Sequence, residues 1–436
     1  MTGTGQNIWS RAAGLAAGTP ESRNRYVDFL RALSICAVVF GHWLMAAPYV
    51  DGAGIHISSM LEHQQWTRWM SWAFQVMPVF FLVGGYSNSI SWQSAQRKGQ
   101  SYGEWLQLRL QRLAGPVLPL VVMWIVLAAG AQWLGLRPEM VKVASQMALI
   151  PIWFLAVYVA VVVLVPLSFE AWRRYGFKSF GVLVAAAVLD DLLFFAADLR
   201  FVGWLNYAFV WLAVHQLGYA WRDGYLAGAR QGTAWVIGGG LVLAALVTLG
   251  PYPISMVSVP GEEVSNTLPP KIAMLALGIV QCGLLLSIES PMRRWLARPT
   301  PWTAVVLVNG MIMTVFLWHL TASTLAIGGA LLLGGAGLDV TPGTGSWWAL
   351  RPVWIAVYLL ALLPFALGFG RFERSPASSR AYPVPRLAAG AMLVCAGLAL
   401  LALDGIAGGG WLGLRIDALL LLFLGAVLAG VNPLRN

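Results

Sequence analysis

Long apolar runs separated by short polar segments set the pattern of this chain, and twelve of them reach the roughly 17 residues that a membrane-crossing helix requires. They fall near residues 29–48, 70–92, 113–133, 151–168, 178–197, 201–221, 233–250, 271–289, 303–325, 347–369, 386–403 and 414–431. The pattern predicts an all-α fold, a polytopic transmembrane helical bundle. Residues 1–24 contain no long apolar run and read as a cytoplasmic N-terminal tail. Residues 25–374 read as one transmembrane domain. Residues 375–436 supply most of a linker, RFERSPASSRAYPVPR over residues 371–386, and a C-terminal hairpin of two Ala-, Leu- and Gly-rich spans whose few polar groups include Asp404, Arg415 and Asp417. Ten spans form the core and two are appended. The first span ends in Met45-Ala46-Ala47, as a signal peptide with a small-residue cleavage site does. Cleavage there would discard a charged stripe and leave the many later spans with no changed purpose, so a retained helix is the better reading.

Charge then orients the spans. With the N-terminus placed in the cytoplasm, 21 of the 28 Lys and Arg residues fall in the inner segments. This asymmetry predicts a multi-pass membrane protein with both termini cytoplasmic. The net charge of +10 is thereby used for orientation, and no nucleic-acid partner is expected. At 58% hydrophobic and 11% charged residues the lipid bilayer is the expected surrounding, since soluble domains approach a quarter charged. Trp66, Trp69, Trp72, Trp347 and Trp348 near span ends fit interfacial anchoring. Cys36, Cys282 and Cys395 all lie in apolar spans, so no disulfide and no metal site is expected. No internal repeat of the kind found in many transporters is evident.

Candidate chemistry concentrates in RYVDFLRALSICAVVFGHWLMAAP, residues 25–48. Arg31 and His42 are eleven residues apart, about three turns, so they share a face roughly 16 Å apart along the axis. Asp28 precedes Arg31 by three residues and can pair with it. Ionisable groups in a span cost on the order of 2.5–3.5 kcal/mol each and normally face a cavity or one another. His42, about 21 Å along from Asp28, falls in the outer half and suits a general base. A second cluster, Arg109 and Arg112 in LQLRLQRLAGP, places two guanidinium forks one turn apart at the inner surface, where they can hold phosphate oxygens. The outer loops carry Asp51, His56, Glu62, His63 and Arg68 in residues 49–69, and Glu262 and Glu263 in the Pro-rich residues 251–270. Glu62 and Glu262 are candidate contacts for an acceptor arriving from outside. His215 reads as a packed histidine bonded across helices.

The spacing of Asp28, Leu30, Arg31 and His42 resembles the opening helix of the acyltransferase 3 family. Further likenesses follow in order. Arg109 and Arg112 resemble its second arginine motif, and MPVFFLVGGY at residues 77–86 resembles its F-F-x-x-S-G-[FY] segment, with Gly84 where serine is usual. Ile152-Trp153-Phe154-Leu155 with Tyr158 resembles its L-W-F-L segment, and Phe316-Leu317-Trp318-His319 its Y-L-W-H, with Phe316 in place of tyrosine. The resemblance covers roughly residues 24–370. It implies an O-acyltransferase that takes acetyl-CoA or another acyl-CoA from the cytoplasm and acylates an envelope glycolipid or glycan. Asp28, Arg31 and His42 are then catalytic, and Arg109, Arg112, Trp153 and Tyr158 bind the donor. His319, level with His42 in the outer half, is either a second catalytic group or, the reading taken here, a residue lining the acceptor cavity. The 24 Arg against four Lys hint at a GC-rich bacterial genome such as an actinobacterium's, and so at a mycolated trehalose as acceptor. No G-x-S-x-G elbow, Walker loop or H-E-x-x-H is present, which removes the usual soluble mechanisms. Two rivals remain: a lipid or solute transporter, and a non-catalytic subunit of an envelope lipid-export complex, for which the C-terminal hairpin would offer a partner surface.

Overall fold

A computed structural model describes residues 8–226, 228–373, 382–408 and 410–432. Tail residues 1–7, linker residues 374–381 and Arg435 lie outside them. The described residues fold into helices α1 (Ile8–Ala17), α2 (Arg25–Met45), α3 (Met60–His63), α4 (Thr67–Phe74), α5 (Met77–Arg97), α6 (Tyr102–Ala114), α7 (Val117–Trp133), α8 (Pro138–Leu149), α9 (Ile152–Val163) and α10 (Val165–Tyr175). They continue with α11 (Phe177–Ala196), α12 (Asn206–Arg222), α13 (Ala229–Leu249), α14 (Ile272–Leu296), α15 (Pro299–Asn309), α16 (Ile312–Leu332), α17 (Gly345–Phe369), α18 (Val384–Asp404) and α19 (Ile416–Leu428). Two short antiparallel strands, β1 (Tyr49–Asp51) and β2 (Gly54–His56), pair within the loop after α2. The protein is an all-α, multi-pass membrane protein.

The expected twelve spans are too many. Among the described residues eight helices are long and apolar enough to cross a membrane, or nine if the bent pair α8 and α9, at 46°, counts as one. Apolarity alone does not reveal breaks. The run near 70–92 divides at Gln75 and Val76 into α4 and α5. The run near 201–221 becomes a 3-10 turn, Val202–Leu205, and the 17-residue α12. The run near 414–431 gives α19, only 13 residues long. Conversely α6 joins α7 in one 32-residue apolar stretch, Tyr102–Trp133.

The helices divide into two compact units. The first comprises residues 1–41, 61–90 and 167–312, the second residues 42–60, 91–166 and 313–436. In the first, Asn24 caps α2 by accepting from the Tyr26 and Val27 amides, and the buried Tyr26 donates to the Leu285 carbonyl at 2.6 Å. Helices α5 and α12 meet backbone to backbone. A Cβ at Gly85 would stand 1.9 Å from the His215 carbonyl oxygen and one at Gly218 2.2 Å from that of Leu82, so only glycine fits at either place. The 251–270 loop is firmly held: Asp191 of α11 accepts from Asn206, from Tyr252 and from the Ile272 amide that opens α14, while Gln75 and Ser71 bond the loop backbone at Met256. A buried carboxylate with several donors is a strong fastener.

In the second unit α18 lies along α9 and touches α6 and α8, and α19 packs on α18. Here small residues act between the two helices of the hairpin. A Cβ at Gly390 would meet the Ala429 nitrogen at 2.6 Å, one at Gly397 the Leu422 nitrogen at 2.7 Å, and one at Gly425 the Val394 nitrogen at 2.6 Å. Arg415 closes the turn by pairing with Asp404 and Asp417.

Candidate active site

Helix α2 passes from the first unit to the second between Gly41 and His42, so His42 belongs with α16, which carries Phe316 and His319. His42 Nδ1 lies 2.8 Å from His319 Nε2, and His319 Nδ1 lies 2.7 Å from the Phe316 carbonyl oxygen. A carbonyl oxygen only accepts, so His319 Nδ1 carries a proton. In neutral His319 the Nε2 lone pair must then accept, and His42 Nδ1 donates to it. The chain of bonds therefore fixes both tautomers and leaves the lone pair of His42 on Nε2. His319 is fully buried and its backbone carbonyl takes a bond from the Trp43 indole at 3.2 Å. Half-buried His42 is thus turned toward protein, its ring nearly parallel to that of His319.

An aromatic run adjoins this pair. The Phe316 ring meets Phe154 edge-on at 5.8 Å, and Phe154 stacks with Tyr158 at 5.6 Å and touches Trp153. The residues expected on the donor side, Trp153 and Tyr158, therefore stand one ring removed from the residue whose carbonyl orients His319. Arg109 and Arg112 also belong to this unit, near the end of α6. The Arg109 guanidinium lies over Trp105 at 5.5 Å, and Arg112 is close enough to Glu373 to interact electrostatically. Glu373 accepts from the Thr314 amide at 2.5 Å, capping the start of α16. That helix end is thereby tied to the neighbourhood of the arginine pair.

Asp28 and Arg31 lie in the first unit. Asp28 is buried and bound chiefly by Arg23, at 2.6 and 3.1 Å, with Arg31 more distant at 3.4 Å. Arg31 also reaches Ser87 of α5 at 3.4 Å. Asn309 of α15 donates to the Asp28 carbonyl, so the start of α2 is fastened through side chain and backbone. Glu262 is held by Arg68 at 2.8 Å, and Glu62 is exposed on the short α3. His215 is buried on α12 and accepts from Asn88 of α5 at 3.2 Å. Sequence reasoning overlooked three participants. Arg23 was counted only among the orienting charges, Ser87 lies three residues beyond the glycine that replaces the family's serine, and Glu373 sits at the far end of a span.

A family model described as an acyltransferase domain, that of acyltransferase 3, matches residues 24–371. The match spans most of the chain and takes in the histidine pair, the arginine pair and the capped start of α2. The chain belongs to this family and is a membrane acyltransferase. No curated protein and no solved structure matches it.

Proposed function

We propose that this protein is an O-acyltransferase that moves an acyl group, acetyl in the first instance, from cytoplasmic acyl-CoA to a hydroxyl of an extracytoplasmic envelope glycolipid or glycan. The reading rests on the bond chain from Phe316 through His319 to His42, which leaves the lone pair of the half-buried His42 ring on Nε2. His42 Nε2 takes the proton of the acceptor hydroxyl as its oxygen attacks the thioester carbonyl. The tetrahedral intermediate then expels the thiolate of coenzyme A, which receives that proton from His42, leaving an ester and a free thiol. During the step the imidazolium still donates through Nδ1 to His319, whose own N–H points at a carbonyl, so the passing charge is met by aligned dipoles. Keeping water out protects the thioester from hydrolysis.

Arg109 and Arg112 would hold the donor phosphates, with Trp153 and Tyr158 along the pantetheine arm. Asp28 and Arg31 would fix the inner end of α2. Glu62, Glu262 and the loops that bear them would face the acceptor, in a bacterial plasma membrane with both termini cytoplasmic. A mycolated trehalose is the acceptor we favour, making the activity that of a trehalose monomycolate acetyltransferase. The test compares envelope lipids and glycans by mass spectrometry from cells carrying wild type or His42→Ala, with both proteins present in the membrane. The acetyl increment should vanish from one lipid or glycan class, and transfer by purified protein should fall by about 10²–10⁴-fold. An unchanged profile would overturn the assignment.

A further inference from the structure

The matched domain ends at residue 371, yet the hairpin beyond it takes hold of the helix that bears Arg109 and Arg112. Helix α6 has two polar faces. At about 100° per residue Arg109 and Arg112 lie roughly 200° and 140° round from Gln107, while Gln111 lies only roughly 40° from it. The glutamine face, buried, points to the C-terminal segment. Gln111 Nε2 donates to the Asn432 carbonyl at 2.6 Å and Gln111 Oε1 accepts from the Asn432 amide at 2.8 Å. Gln107 Nε2 reaches the Gly430 carbonyl at 3.4 Å.

A side-chain amide that both gives to and takes from one backbone residue is a two-point clasp, and it fixes rotation as well as distance. Closer to the helix start, the Tyr382 carbonyl lies 2.8 Å from where a Cβ of Gly103 would be, so α6 approaches the beginning of the hairpin without an intervening side chain. The hairpin is itself stiffened by its glycine contacts, and Arg386 binds the Leu428 carbonyl at the end of α19.

We propose that the C-terminal hairpin sets the rotation of α6 and so aims Arg109 and Arg112, with Gln107 and Gln111 as positioning residues for the acyl donor. This rests on the assignment of those arginines to the donor phosphates. A hairpin that served only to add stability would need no two-point amide on a face turned roughly 100° from Arg112 and roughly 160° from Arg109.

The test titrates coenzyme A into the purified full chain in lipid nanodiscs. Gln111→Leu should weaken coenzyme A binding about tenfold while the unfolding midpoint stays near that of wild type, because a small misplacement of charged anchors is enough to lose them. Gln111→Glu, which still accepts from the Asn432 amide but no longer donates, should fall between the two. Added to the Arg109→Gln, Arg112→Gln double variant, the Leu substitution should weaken binding no further, since the groups it aims are gone. A lowered midpoint with unaltered affinity, or full additivity with the Arg109→Gln, Arg112→Gln pair, would overturn the inference. If Arg109→Gln with Arg112→Gln itself leaves coenzyme A binding intact, the donor assignment fails. If those arginines matter and Gln111→Leu does not, the hairpin's role alone falls.

Discussion

The two ends of α2 carry polar groups of opposite character. At its start, in the first unit, Asp28 is a buried carboxylate bound by Arg23 and Arg31 and backed by Asn309. Near its end, in the second unit, His42 and His319 form a neutral pair joined by one shared hydrogen bond. Apolar surroundings penalise both arrangements, but in different ways. Charges there are costly unless paired, and most acceptor positions of the Asp28 carboxylate are already taken by Arg23 and Arg31. A neutral imidazole pair is cheaper to bury and still able to gain and release a proton. On the proposed function, the contrast separates a fastening from a reactive group on one continuous helix.

That contrast is easiest to break at His319. His319→Ala removes the acceptor that holds the His42 tautomer, and transfer should drop by about tenfold to a hundredfold, as when other orienting partners of histidine are removed. His319→Gln offers a carbonyl oxygen to His42 Nδ1 and should recover part of the loss. Equal rates for the two variants, or a shift of the pH profile in neither, would show that the second imidazole does not act through the first.

At the other end Asp28→Ala should cost about 1–3 kcal/mol of stability, the scale for a lost charge-assisted bond, read from thermal unfolding in detergent. Transfer per folded molecule should change far less than with His319→Ala. A deeper loss of activity than of stability would blur the distinction between the two ends.

The smallest effect concerns the loop just after α2. The exposed Asp51 carboxyl is held below its ordinary value mainly by the hydrogen bond with His56 at 2.8 Å. A carboxylate depressed in the folded state stabilises above its unfolded pKa, and that contribution is lost as pH falls through the folded value. Hydrogen exchange of the β1–β2 amides should therefore quicken below the usual carboxylate range and do so earlier in His56→Ala.

Much of this was legible beforehand, for reasons particular residues make plain. Helical apolar runs announce themselves by length, and His42 stood out because a histidine at three-turn spacing from an arginine is unusual in such a run. Its bond to His319 was not legible, since the two are 277 positions apart and no local pattern says which helices pack. Arg23 was hidden by lying before the helix, where basic residues are expected for orientation. The span count ran high because the break at Gln75 and Val76 and the 3-10 turn Val202–Leu205 interrupt helices without lowering hydropathy much. The hairpin looked separable because its glycines suit a partner's approach, whereas Gly390, Gly397 and Gly425 are spent on each other's backbone.

The clasp on α6 has a bearing on biogenesis. Gln111 and Asn432 are separated by 321 positions. At roughly 5–20 residues per second of translation, α6 waits on the order of half a minute in the bilayer before its latch is made. If the hairpin aims the arginines as proposed, a chain halted by a stalled ribosome or clipped by a protease short of that latch would carry the histidine pair and the arginines and still lack the grip that aligns them, and unfinished copies would be kept idle by the order in which the polypeptide is born.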